Sequence, residues 1–415
     1  MNLLKLSSAS HFSTVRFSGS HSTLAPFRRR FFTVRSALPF PSHEAKYYRE
    51  LQAAVEVVER ACRLCLDVKS SLLSSDGRIV EKNDQTPVTV ADFGVQALVS
   101  LELGNLFPSI PLVAEEDSAF VRSNNLADYV VSAVNGTSSS RDKPCAEVDV
   151  LEAIDRGGVD ASTFGSEPAT YWILDPIDGT KGFLKGSEAL YVVGLALVVD
   201  GKIVLGVMGC PNWQNNLSST LTSKVREYDN MLPKKGVIMI AHAGCGTWTK
   251  RLPCLTNGTV NVPSSWTRCF VDHYSIVHEA RFCISDSQTW DSLPLSASYS
   301  STSNADSIVE NQILLLPTFC GSLCKYLMVA SGRASVFILL AKVKTAIKAW
   351  DHAVGIICVH EAGGQVTDWK GIQIDLAGDE DSRRIIFPSG GVLVTNGNLH
   401  NPILELISCG SSSTV

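Results

Sequence analysis

From Tyr47 to about Leu72 the apolar residues Leu51, Val55, Val58, Cys62 and Leu66 recur at steps of three and four. That spacing lays one apolar stripe along a long helix, which must pack against something. Asp84-Gln85-Thr86-Pro87 interrupts the pattern, and helical spacing returns from Val88 to Leu103, so Asp84 is expected in a loop between two helices. Pro111-Leu112-Val113-Ala114 reads as a short buried strand that runs into three acids, Glu115-Glu116-Asp117. Residues from about 121 to 168 are polar and irregular, and predict an insertion with one short helix near 149–154. Tyr171-Trp172-Ile173-Leu174 is a strand leading straight into Asp175, and Tyr191 to Gly209 alternates as a hairpin turned at Gly201. Residues 214–236 form a polar excursion. A second set of elements begins at Arg281: a helix over 323–331, a buried strand over 334–340, a helix over 351–361 closed by Gly363-Gly364, and a strand over 365–369.

Composition narrows the picture. The chain has 415 residues, 45% of them hydrophobic, and 36 basic against 41 acidic residues give a net charge of -5. No global basic field draws it to nucleic acid or an anionic membrane, so its ligand must be recognised locally. Apolar runs such as Ile313-Leu314-Leu315-Leu316 stop far short of the ~20 residues a bilayer helix needs. Twelve cysteines without a repeating frame are expected as reduced thiols. The close pairs Cys62/Cys65 and Cys320/Cys324 lack a second pair at zinc-ribbon spacing, and no metal is assigned there. The first 40 residues carry Arg16, Arg28, Arg29, Arg30 and Arg35, many serines and no acid before Glu44, the composition of an organellar transit peptide. The Arg28-Arg29-Arg30-Phe31-Phe32 cluster favours a mitochondrial address, with the chloroplast as the alternative. Beyond residues 1–40, the expected division is 44–270 for an N-terminal half with most of the chemistry and 271–408 for an α/β half that completes it.

The sharpest local signal is Leu174-Asp175-Pro176-Ile177-Asp178-Gly179-Thr180. A strand delivers Asp175, Pro176 stiffens the turn, and Asp178 follows three residues later. Two carboxylates and the Ile177 carbonyl can then converge on one point, an all-oxygen set suited to a hard divalent cation. Gly179 and Thr180 offer backbone N–H groups at an expected helix start, where an anion such as phosphate is favoured. Asp84, Glu115 and Asp351 also stand at the edges of predicted elements. Taken singly, Asp351 could merely cap its helix and Asp178 merely shape a turn. Five acids at element ends argue for a shared site.

These same blocks carry a resemblance. Asn83-Asp84-Gln85-Thr86-Pro87-Val88-Thr89, Glu115-Glu116, Trp172-Ile173-Leu174-Asp175-Pro176-Ile177-Asp178-Gly179-Thr180 and Trp350-Asp351-His352-Ala353 occur in an order that resembles the lithium-sensitive phosphatase superfamily. Inositol monophosphatases, fructose-1,6-bisphosphatases and 3'(2'),5'-bisphosphate nucleotidases belong to it, and the resemblance spans about 44 to 408. It implies a layered α/β/α/β/α fold with a metal site between the two halves, and two or three magnesium ions. Glu115, Asp175 and the Ile177 carbonyl would hold one ion, and Asp175, Asp178 and Asp351 a second. Asp84, paired with Thr180, would orient and deprotonate the attacking water, and Gly179, Thr180 and Asp351 would face the substrate.

Within the superfamily, the Asn83 to Thr89 block and Gly321-Ser322-x-x-Lys325-Tyr326 look more like the bisphosphate nucleotidases than the inositol monophosphatases. That implies removal of the 3'-phosphate of adenosine 3',5'-bisphosphate, and of 3'-phosphoadenylyl sulfate, with Ser322 and Lys325 at the second phosphate or ribose. The alternatives are an inositol (poly)phosphate phosphatase of the same superfamily and a non-catalytic nucleotide-binding protein. Two positions depart from the nucleotidase pattern. Ser285 to Trp290 has no histidine for the adenine, though Trp290 could stack on a base or be a core or surface tryptophan. Leu339 or Leu340 stands where an arginine is expected, with Lys342 and Lys344 nearby.

Overall fold

The early apolar stripe forms helix α1 (Tyr48–Ser74), with Leu51, Val58, Ala61, Cys62 and Cys65 buried along it. Each fully buried Leu or Val side chain contributes roughly 1.5–3 kcal/mol. The computed structural model describes residues 38–74, 79–81, 87–137, 143–158, 163–184, 189–213, 236–252, 265–303, 311–316, 321–341 and 346–411. Leu38–Val415 form one compact unit. Leu38 and Phe40 already pack beside α1, while residues 1–37 of the expected leader lie outside the described residues. So do Asp84, Lys342, Lys344 and nearly all of the 214–236 excursion.

Strands β1 (Ile79–Glu81) and β2 (Pro87–Thr89) pair antiparallel. The described part of the stretch between the first two helices therefore holds a short antiparallel strand pair. Helix α2 (Val90–Leu106) starts at Thr89, which caps it reciprocally with Asp92. Strand β3 (Leu112–Ala114) follows. The supposed irregular insertion is instead largely helical: α3 (Ser118–Ser123), α4 (Ala127–Gly136) and α5 (Glu147–Asp155). Val130 and Val134, and Val150, Leu151 and Ile154, fall at helical spacing and pack with Phe93 and Ala97 of α2. Their polar neighbours face outward and mask that period when the segment is read as a whole.

The first sheet continues with β4 (Tyr171–Asp178), followed by helix α6 (Thr180–Leu184), β5 (Val192–Val199), β6 (Lys202–Cys210), β7 (Val237–His242), β8 (Gly246–Arg251) and β9 (Thr267–Arg268). Its described strands run in the order β3-β4-β5-β6-β7-β8-β9, with β3 and β4 parallel and the rest antiparallel. The β5–β6 hairpin turns through Asp200 and Gly201, both at positive φ (50° and 75°), as a tight hairpin requires.

The second half supplies β10 (Arg281–Ile284), β11 (Ser300–Thr302), β12 (Gln312–Leu315), α7 (Ser322–Ala330), β13 (Val336–Leu340), β14 (Ile347–Lys348), α8 (Ala353–Glu361), β15 (Gln365–Asp368), β16 (Ile385–Ile386), β17 (Gly391–Thr395) and α9 (His400–Ser411). The second sheet has the order β11-β12-β10-β13-β17-β15, and β14 pairs with β16.

Alternation along the strands separates the layers. Trp172, Leu174, Val193, Leu195 and Leu205 pack with α1 and α2. Ile173, Val192, Ala196 and Met208, on the opposite face, pack with α7, α8 and the inner face of the second sheet. Phe282, Val336, Ile338 and Leu393 turn toward Leu399, Ile403 and Ile407 of the α9 region. The result is the expected α/β/α/β/α stack. The described cysteines are free thiols, among them Cys62, Cys65 and Cys324.

Candidate metal centre and active site

Asp175 and Asp178 are three residues apart, a separation that puts side chains on opposite faces of a regular strand. The β4–β5 register slips between them: Asp175 pairs with Gly194 and Asp178 with Val192, so β4 carries one extra residue. That bulge re-aims one side chain and brings both carboxylates to the same side. Asp351 arrives from the second half, two residues ahead of α8, so it is not the helix cap that its neighbours suggested. Oxygens of Asp175, Asp178 and Asp351 all lie within 4.8 Å of one another, the one such acid, His or Cys group among the described residues.

The electrostatics of this set are unfavourable. Burial pushes the Asp175 carboxyl well above the ordinary carboxylate range, and Asp178, Glu115, Asp351 and Asp92 push it further. Asp351 is likewise driven up by burial, then by Asp178 and Glu115, against a hydrogen bond with Asp175 and the pull of Lys348. Burial raises Asp178 to about 6, opposed by Lys325 and by the backbone N–H groups at the start of α7. Asp175 Oδ1 is buried and meets no hydrogen-bond donor. Packed carboxylates with an orphaned oxygen are costly as anions, and an all-oxygen donor set of this kind fits a hard divalent cation. Glu115, half-buried just past β3, acts on this set electrostatically but lies outside the 4.8 Å group.

Asp178 also joins the two halves. Its carboxylate accepts from Ser322 N (3.0 Å) and Leu323 N (2.7 Å) at the head of α7. Gly321 makes that approach possible, since a Cβ there would stand 2.0 Å from Asp178 Oδ1. Gly179 adopts φ 89°, and a Cβ on it would come within 2.9 Å of Gly321 N. Next to Asp351, His352 Nδ1 bonds Tyr326 Oη at 2.8 Å, and burial pushes this histidine down to about 4, so it is neutral near pH 7.

Thr180 opens the five-residue helix α6. Its hydroxyl lies 3.1 Å from the Ile177 carbonyl and 3.2 Å from Asp92 Oδ1. Among the described residues the carboxylate partner of Thr180 is Asp92, while Asp84, which the resemblance pairs with Thr180, lies outside them. Asp92 is buried, and its other oxygen is held by Thr89 N (2.8 Å) and Thr89 Oγ1 (2.7 Å). A signal for it existed: Asp92 and Gln96 are polar residues one turn apart inside the apolar run Val90 to Val99, where unpaired polar groups would be costly.

The expected substrate contacts fare differently. Lys325 is buried and its ammonium bonds Asp286 Oδ1 at 3.0 Å and the Gly321 carbonyl at 3.3 Å. Ser322 is half-buried, with its backbone N–H committed to Asp178. Trp290 is a core residue, packed edge-on to Phe282, its indole N–H donating to the Tyr299 carbonyl. Leu340 is clasped by the Gln288 carboxamide, which bonds both its backbone N and O.

Residues 45–411 match the model of the inositol monophosphatase family. The chain is 61% identical over 407 residues, 98% of each chain, to an Arabidopsis thaliana protein named "Putative 3'(2'),5'-bisphosphate nucleotidase, mitochondrial". It is 33% identical over 332 residues to a 3'(2'),5'-bisphosphate nucleotidase of Dictyostelium discoideum, covering 78% of this chain and 86% of the relative. Among solved structures, inositol monophosphatase II of Staphylococcus aureus superposes with a TM-score of 0.51 at 13% identity, over 87% of this chain and 94% of that one. A Thermotoga maritima IMPase gives 0.50 at 18% identity, over 88% and 99%. At such identities the structural likeness concerns the fold alone.

Proposed function

The chain belongs to the inositol monophosphatase family, and from that premise we propose that it is a Mg2+-dependent phosphatase that removes the 3'-phosphate of adenosine 3',5'-bisphosphate, releasing AMP and phosphate. The observation that carries this reading is the buried Asp175, Asp178 and Asp351 set with the Asp92–Thr180 pair beside it. The relatives named bisphosphate nucleotidases supply the substrate class. Asp175, Asp178 and Asp351, with Glu115 and the Ile177 carbonyl, would hold two or three Mg2+ ions. When bound, they supply positive charge against the phosphate and the departing oxygen.

The remaining chemistry belongs to the protein. Thr180 Oγ1 donates to the fixed Asp92 Oδ1, leaving its lone pairs to accept from a water. As that water attacks phosphorus, its proton passes to Thr180 while the Thr180 proton passes to Asp92. The P–O3' bond breaks, the 3'-oxygen takes a proton from solvent water, and Asp92 returns to solvent the proton it received, so one water is consumed for each AMP and phosphate released. Backbone N–H groups of Gly179 and Thr180 are the proposed contacts for the reacting phosphate. Ser322 and Lys325 are the proposed contacts for the 5'-phosphate, which would displace the half-exposed Asp286 from Lys325. The basic leader, together with the name of the Arabidopsis relative, supports a mitochondrial address.

Phosphate release from adenosine 3',5'-bisphosphate, 3'-phosphoadenylyl sulfate, inositol 1-phosphate and inositol 1,4-bisphosphate, with and without Mg2+, tests the reading. Mg2+-dependent release from the nucleotides, with the inositol phosphates far slower, is expected. Preference for an inositol phosphate would overturn the substrate, and no release from any of them would overturn the activity.

A further inference from the structure

Glu115 and Asp351 come from different halves of the chain, and something must set their separation. Glu115 follows directly on Ala114, the last residue of β3, and Asp351 follows directly on Trp350. Arg384 touches both approaches. Its backbone carbonyl accepts from Ala349 N at 2.8 Å, and the adjoining β16 pairs with β14 through Lys348 and Ile385, so its main chain is fastened to the segment that leads into Asp351. Its guanidinium lies over the Trp350 ring, 5.5 Å from the centroid. The same guanidinium reaches across to the first half, where Nη1 donates to the Ala114 carbonyl at 2.7 Å and Nη2 to the Gly157 carbonyl at 2.6 Å, both bonds buried.

A guanidinium is suited to this task. It is planar, stays charged when buried, and presents donors in a rigid fork, so two carbonyls and an aromatic face fix its position and orientation together. The strand end it grips is also held from the other side, where the Gln96 carboxamide accepts from Glu116 N (2.8 Å) and donates to the Glu116 carbonyl. Glu115 therefore sits between two backbone clamps, one from α2 and one from Arg384. Only the second runs on to Asp351.

We propose that Arg384 is a positioning residue that sets the distance between Glu115 and Asp351 and thereby the affinity of the site for divalent cations. This rests on the metal reading above. Loss of a partner that orients metal ligands typically weakens metal binding by about 10–100-fold. Arg384→Lys keeps the charge and stem but cannot bond both carbonyls while lying over Trp350, so it tests the fork.

The experiment is titration of the full chain with Mn2+, free ion being read by electron paramagnetic resonance, together with melting temperature and the Mg2+ dependence of turnover. Arg383→Lys is the control. Arg383 is buried still more deeply and also bonds carbonyls, but those of Ala377, Gly165 and Glu167. Arg384→Lys is expected to bind Mn2+ roughly 10-fold more weakly and to need correspondingly more Mg2+, with kcat near the parent value once metal saturates. Arg383→Lys should melt lower with Mn2+ affinity unchanged. If Arg384→Lys folds poorly, Trp350→Leu, which takes the aromatic face from under Arg384 and Lys348 and leaves both carbonyl bonds of Arg384 in place, should weaken Mn2+ binding in the same direction. Parent-like Mn2+ affinity in Arg384→Lys, or equal losses in both arginine variants, would overturn the proposal while leaving the metal reading intact. A parent that binds no Mn2+ would overturn both.

Discussion

Asp175 and Asp368 are both buried aspartates on strands, one in each sheet, and they live in opposite circumstances. Asp368, at the end of β15, accepts from Lys370 N and Ile372 N at 2.9 Å and from Ser389 N at 3.2 Å, so both its oxygens meet donors. Asp175 has an oxygen that meets none, and its neighbours are other acids. A buried carboxylate satisfied by backbone N–H groups holds a turn together. One left short of donors and crowded by like charges raises the free energy of the fold, a cost that the proposed cation would offset.

The largest test of this contrast is Asp175→Asn. It should lower kcat by about 10³-fold or more, a loss of roughly 4 kcal/mol of transition-state stabilisation, while the metal-free protein melts no lower, because a strained charge has been removed. Measurable residual kcat with parent Mg2+ affinity would contradict it. Next come Asp92→Asn and Thr180→Ala, which should each cost about 10²–10⁴-fold in kcat with Mn2+ binding retained, the range for losing a general base. Loss of binding in step with rate would instead make them structural.

The pH dependence follows from Asp178, whose carboxyl rises from 3.8 to about 6. A raised folded value means that between about pH 4 and 6 the native state binds more protons than the unfolded one. Metal-free stability should therefore fall as pH rises through this window, by about 3 kcal/mol from this residue (about two units at 1.36 kcal/mol each). A cation competes with those protons, so the gain in melting temperature on adding Mg2+ should grow from pH 5 to 7.5. A gain independent of pH would mean the acids are not its ligands. Smallest is Asp368→Asn, which should cost about 1–3 kcal/mol of stability by denaturant titration and leave Mg2+ dependence unchanged.

Much of this contrast could be read from the chain. The stripe of α1, the alternation of β5 and β6 and the turn at Gly201 each state their period plainly, and Asp175, Asp178 and Asp351 stand out as acids at element edges. Three features were hidden for physical reasons. The helices α3, α4 and α5 bury few apolar residues each, and polar outer faces dilute their period. Asp92 stands in the first turn of a helix buried on nearly every side, where its spacing from Thr89 reads as an ordinary capping box, and only its polarity in an apolar run points further. Arg383 and Arg384 follow Asp379-Glu380-Asp381 in a run of mixed charge with no local sign of burial, yet both are buried and their guanidiniums grip main-chain carbonyls far away in sequence. Burial of such a group depends on partners more than 200 residues away, which no local pattern encodes.

The account stands most directly on calorimetric titration of Mg2+ or Mn2+ into the parent chain, Asp175→Asn and Asp368→Asn at pH 7.5. It predicts saturable binding to the parent and to Asp368→Asn, and none at the same concentrations to Asp175→Asn. Parent-like binding by Asp175→Asn, or loss of binding in Asp368→Asn to the same degree, would contradict it.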